Sequence, residues 1–492
     1  MANTKISQLP SYTGTAADLR WFVMNNSGET ETFKYSGYSS QIIPGNGIES
    51  YVSINVPRTH APDDYMLVFG NHSGTSASAG ANSAVLGGRN NRTTNQFGVV
   101  VGGLNNVAGY ICGVFGGNGG NAEGNSAMIV GGENNTCSNI SYGGIFSGIQ
   151  NYLSGGNDVG NGIIGGYSNR LTTNGGQGNH IIGGRDNRWF LFDSRDPYIG
   201  APRYGMGAMI GGYSNRIEGN TTDSFGAHAF PLIFGGTLNK VFGEESDDTG
   251  TTGATIINSY SSTIKKSAWS SIINGYSNTI TGSSYSTIVG GENNTLNGVG
   301  YGFIGGGKYN ILSGGTNYSS IVGGLSNENY GNYSGIFNGT LNKINNPTTE
   351  YSTIVGAYSS QTEGDNSHIF GGIENQILSP QSLMVGGREN IIAAGSTQAE
   401  IIGSRNCIIS GTTLDNTIIN SIESIIPNGI DRAVMLGTSG RTATVDSATF
   451  VENLVVFNYA ALNFLDDTAA AAGGVVLGQI YHTAGVMKIR IV

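Results

Sequence analysis

The 492-residue sequence predicts an all-β protein, a parallel β-solenoid (β-roll or β-helix) of about 21 short coils, and three regularities predict it. From about residue 85 to 440 one phrase recurs: two apolar residues, two small ones, two variable ones, then asparagine, as in VLGGRNN, IVGGENN, IIGGYSN and IFGGIEN. Most copies lie 14 to 18 residues apart, too short for helical-repeat or propeller units and right for one solenoid coil. Glycine pairs, β-branched residues and asparagine-rich turns recur at one phase, which opposes helix and favours strand, turn, strand, turn.

Marking each copy by the first residue after its apolar pair gives 21 copies between Gly87 and Gly437. Four residues after the marker, 14 copies carry asparagine, from Asn91 to Asn390, and three carry serine. An amide repeated at every turn can bond the neighbouring coil, and asparagine tolerates left-handed backbone, so the row is read as structural. Two residues further on comes a second apolar position, for example Leu153, Leu171, Ile217, Ile264 and Ile280, which stacks into one inward ladder.

The apolar doublet carries the inference about assembly. Successive side chains of a strand point to opposite faces, so one member of each doublet cannot enter its own core. An outward apolar ladder over some twenty coils needs cover, and a cyclic homo-oligomer supplies it; the expectation is a homotrimer.

Composition excludes several alternatives. The 81 glycines lack the every-third-residue period of collagen, and only 11% of residues are charged. The net charge of −10 argues against nucleic acid as a partner. The start shows no signal-peptide core, and no run of about 18 apolar residues appears, so neither export by an N-terminal signal nor membrane insertion is expected. Three scattered cysteines, Cys112, Cys137 and Cys407, do not suggest a disulfide framework.

The copies NSAVLGGRNNRTT, NSAMIVGGENNT and YSTIVGGENNTLNG resemble the head repeats of trimeric autotransporter adhesins over roughly 350 residues. That resemblance implies a left-handed β-roll trimer used for adhesion. No signal peptide, coiled-coil stalk or membrane-barrel anchor is read in the end segments, so a bacterial surface adhesin is not the expectation. KISQLP and SGETETFKY, within residues 4–37, resemble the N-terminal segment of phage fibre and virion-attachment proteins, and LNFLDDTAAAAGGVVLGQIYHTAGVMKIRIV resembles their closing module. The resemblance implies a bacteriophage head or tail fibre on the virion surface, assembled in the host cytoplasm. Its implied partners are its own copies, other virion structural proteins, and a host cell-surface glycan or protein.

The organisation expected is a virion-anchoring segment at 1–40, a mixed cap at 41–80, a shaft at 81–440 and a C-terminal tip at 441–492. Leu9, Pro10, Trp21, Phe22, Phe33 and Tyr35 supply the anchor's apolar contacts. In the tip, Asp466 and Asp467 cap an alanine run ended by Gly473 and Gly474, and Ala484-Gly485 divides two strand-like runs.

No catalytic, metal or cofactor site is expected. A tailspike-like glycan depolymerase, the alternative function, needs carboxylates converging at roughly 5–10 Å. Glu133, Glu292, Glu374 and Glu389 read instead as solvated turn residues, and the six histidines show no ligand spacing. Three consecutive coils are lengthened by inserts at 188–207, 219–234 and 243–253, placed on one side of the solenoid. Trp189, Phe190, Phe192, Arg195, Asp196, Tyr198, Arg203 and Tyr204 in the first are candidate receptor or partner contacts. Covering the gap between chains of a trimer is the other reading of those aromatics.

Overall fold

The computed structural model describes residues 41–45, 48–55, 66–71, 83–155, 160–173, 178–192, 207–220, 230–242, 253–315, 317–453, 459–477 and 479–491. The anchor residues Leu9, Pro10, Trp21, Phe22, Phe33 and Tyr35 lie outside them. The chain divides into two compact units, Met1–Val355 and Gly356–Val492. It is all-β, a parallel β-solenoid of about 20 turns with almost no helix.

One coil shows how the phrase folds. Thr287–Val289 forms a strand, with Ile288 buried and its neighbours turned outward. Gly290 and Gly291 then turn the chain with φ of +75° and +80°. A Cβ on Gly290 would meet nothing within 4 Å, whereas one on Gly291 would lie 2.3 Å from the carbonyl oxygen of Gly307 in the next coil. The second glycine is therefore required by close approach between coils as well as by backbone sign. Glu292 bridges in parallel to Lys308, Asn294 turns inward, and Thr295–Asn297 forms the second strand around the buried Leu296.

Stacking such coils makes two long parallel sheets. In the first unit the A strands run from Ser83–Arg89 to Thr353–Val355, and the B strands from Arg92–Thr93 to Lys343–Ile344. In the second unit the A strands run from His368–Phe370 to Thr449–Val451, and the B strands from Gln361–Thr362 to Ile425–Ile426. Like residues meet across coils, as with Ile288 and Ile304 in sheet A and Leu296 and Leu312 in sheet B. These two inward files form a narrow core one side chain deep from each sheet.

The asparagine row ties each coil to the next. Asn294 donates from Nδ2 to the Gly307 carbonyl at 3.1 Å, and its Oδ1 accepts the N–H of Asn310 at 3.0 Å. The same link joins Asn91 to Asn106, Asn151 to Asn169, Asn187 to Asn215 and Asn375 to Asn390. Serine substitutes locally: Ser262 Oγ accepts the N–H of Asn278 at 3.3 Å.

The structure corrects the sequence reading of one coil. Its inward residue is Ile304 and its outward residue Gly305, over which the ring of Phe303 leans. The marker is Gly306, not the Gly305 that the apolar pair Phe303-Ile304 implies in the sequence, and the buried Asn310 therefore joins the asparagine row.

Strands 41–45 and 48–55 pair antiparallel, strand 48–55 pairs antiparallel with 66–71, and the last joins the first A strand in parallel. Near the other end, Asp466 caps the helix Asp467–Ala472 through a 2.8 Å bond from the Ala469 N–H. Ile480–Thr483 and Val486–Ile489 form a hairpin whose Tyr481 packs on Ala470 and Val475.

Candidate functional site

Sheet A presents its own apolar file outward. Ile145 and Ile163 are fully buried, while the next residues, Phe146 and Ile164, are 43% and 47% exposed. Phe115, Phe234, Val289 and Phe337 continue this file in the first unit, and Phe370 and Leu436 occupy the same position in the second. Within each unit the chain thus leaves a repeated hydrophobic file on the outside of sheet A, where scattered apolar residues would be ordinary and a file is not.

Between residues 97 and 180 the outward face deepens into a groove of about 630 Å³. Gly113, Gly144 and Gly162 contribute its floor, Phe97, Ile111 and Tyr142 one wall, and Phe115, Phe146 and Ile164 the other. Small residues alternating with aromatic ones create the hollow.

The wall position ahead of the A strands is left-handed in most coils, as at Phe97, Ile111 and Tyr142. Further along the first unit it holds Tyr285, Tyr301, Tyr318, Tyr333 and Tyr351, with φ between 50° and 55°. Their rings stack at 4.9, 4.6, 5.3 and 5.1 Å, within 16° of parallel, and each tyrosine is about half exposed. Left-handed backbone costs a non-glycine residue about 1–2 kcal/mol. An aromatic pair returns about 0.5–1.5 kcal/mol, so stacking within one chain does little more than offset the strain.

His180 and His368 both begin A strands and face outward, half-buried. Burial holds both below the ordinary histidine value. Burial also raises the thiols of Cys137 and Cys407, and all three cysteines are unpaired and buried.

The first candidate loop begins later than its sequence suggests. Arg188–Phe192 is a B strand, so Trp189 is a core residue, fully buried between Leu171 and Ile217, and cannot contact a receptor. A large aromatic at an inward phase was the available signal, since Trp189 stands two residues after Asn187. Phe190 is half-buried on the outward face and Phe192 ends the strand. Arg195, Asp196, Tyr198, Arg203 and Tyr204 lie outside the described residues. The second insert likewise gives up its ends to strands Arg216–Asn220 and Leu232–Phe234.

Among the described residues, no three His, Cys, Asp or Glu side chains come together as metal ligands would, and no helix is long and apolar enough to cross a membrane. Glu292 pairs with Lys308 at 3.0 Å, and Glu389 with Arg388 at 2.7 Å, both at the surface. A scan against protein-family models and a search of curated proteins returned no match to the chain.

Proposed function

We propose that the chain is a structural fibre protein of a bacteriophage virion, a homotrimer projecting from the particle and contributing to attachment at the host surface. The observation that carries the reading is the outward apolar file of sheet A, half exposed in one chain and repeated coil after coil. Three copies packed around a common axis would bury it without leaving an open edge. The tyrosine stack borders the same face and gains further burial from that arrangement. The virion assignment rests on the resemblance of the end segments to phage fibre proteins: residues 4–37 to their anchor and residues 462–492 to their closing module.

In this reading the protein catalyses nothing and needs no cofactor. Its coils serve as a spacer, because stacked coils extend a surface along one axis without enlarging the core.

Antibody against the purified chain, applied to intact particles of the phage that encodes it, should label projections from the surface. Particles that carry no label overturn the virion assignment. Incubation with host polysaccharide should release no reducing ends, and release would favour the tailspike-like depolymerase instead.

A further inference from the structure

The outward face of sheet B carries a file of cations of which, among the described residues, only one has a carboxylate partner. Arg170, Arg188, Arg216 and Lys240 occupy the same strand position in four successive coils, each directly opposite the next in parallel register. All four are exposed. Like charges opposed across neighbouring strands destabilise a sheet. The placement is also selective, since the stretch between Arg92 and Arg170 contains no Lys or Arg at all. Among the described residues one carboxylate pairs with the file, Glu218 with Arg216, leaving an excess of positive charge on a chain whose net charge is −10.

Aromatic rings interleave with these cations. The Arg170 guanidinium lies 4.8 Å from the centroid of the Tyr152 ring and 5.5 Å from that of Phe190. Phe242 stands on the same face beyond Glu218, with the Lys265 ammonium 5.4 Å from its centroid. Tyr152, Phe190 and Phe242 are all half-buried, and the first two form a firm bed on which the Arg170 head group is already oriented.

We propose that this face of sheet B binds an anionic polysaccharide, a glycan bearing a carboxylate or phosphate at regular intervals. Strand spacing of about 4.8 Å sets the step of the cation file. A polymer carrying one anion per sugar advances by a comparable step, so successive anions meet successive cations while the C–H faces of the sugars rest on the rings. Nucleic acid is the poorer fit, because its affinity rests on a broad positive field and this chain is acidic outside one narrow file. The inference deepens the attachment reading by naming a ligand class, yet it rests on described strands and is tested without virions.

The test is cell-free binding of the full-length protein to immobilised polygalacturonate, with dextran and single-stranded DNA as parallel probes. Binding to polygalacturonate, absent on dextran and weakened by added salt, is expected. Arg188→Gln with Arg216→Gln should weaken it at least tenfold, while Arg188→Lys with Arg216→Lys should keep most of it. Arg388→Gln with Arg405→Gln removes equal charge from another file and should change little. Because the first pair relieves repulsion, its melting temperature should hold or rise. Equal loss in both glutamine pairs, stronger capture by DNA, or dissociation of the assembly by Arg188→Gln with Arg216→Gln would each overturn the proposal. A protein that labels virions yet ignores polygalacturonate would sink this inference and leave the fibre reading standing.

Discussion

The side-chain oxygen of Asn294 accepts the backbone N–H of Asn310, one coil further on, at 3.0 Å, inside a core where neither residue meets solvent. Asn294→Ala strands that N–H and removes the amide donor to the Gly307 carbonyl. The Gly307 carbonyl keeps the Glu292 N–H at 2.9 Å, so the stranded Asn310 N–H sets the loss, about 1–3 kcal/mol. Asn294→Ser should cost less, because Ser262 already fills the role two coils earlier in the row. Denaturant midpoints of the two variants at equal protein concentration check the ordering.

The glycine pair separates backbone strain from steric conflict. Gly290→Ala places a Cβ in open space at φ +75° and should cost about 1–2 kcal/mol, the left-handed penalty alone. Gly291→Ala drives a Cβ to 2.3 Å from the Gly307 oxygen and 2.4 Å from Asn294 Nδ2, so neighbouring coils must part. Thermal melts should show a modest shift for the first variant and loss of cooperative folding for the second. Equal effects would mean that close coil approach is not what requires glycine.

Protonation should weaken the fold through His180 and His368. Burial places their folded pKa values below the unfolded value of about 6.5, so on acidification the unfolded chain takes the proton first. Their contribution is complete above the unfolded pKa and is lost as pH falls below it, levelling once the folded residues also protonate. The double variant His180→Gln with His368→Gln should flatten the stability profile between pH 7 and 5. An unchanged slope would assign that dependence to other groups.

Much of the fold was legible because the repeat is phase-locked: a residue read as inward in one coil, such as Leu153, predicts Leu171 in the next. The asparagine row was legible for the same reason. Asn310 was missed because marking by apolar pairs took Phe303-Ile304 for the doublet, when a glycine, Gly305, held the outward place. Trp189 was missed because an insertion signal outweighed its inward phase. The tyrosine stack was hidden by a different rule: left-handed backbone is expected of glycine and asparagine, and here the position before the A strand imposes it on five tyrosines whose rings then stack. The cation file was written in the sequence as asparagine followed by arginine or lysine in four successive phrases, at Arg170, Arg188, Arg216 and Lys240.

The claim that the outward file of sheet A is covered by sister chains is tested most directly by weighing the assembly. Mass photometry of the purified full-length protein at nanomolar concentration should give a single species of three times the chain mass. Replacing Phe146, Ile164 and Phe337 together by lysine should remove that species and leave aggregated or unfolded chains, because the uncovered face has no other partner. A soluble, cooperatively folded particle of one chain mass, before or after those substitutions, would contradict the claim.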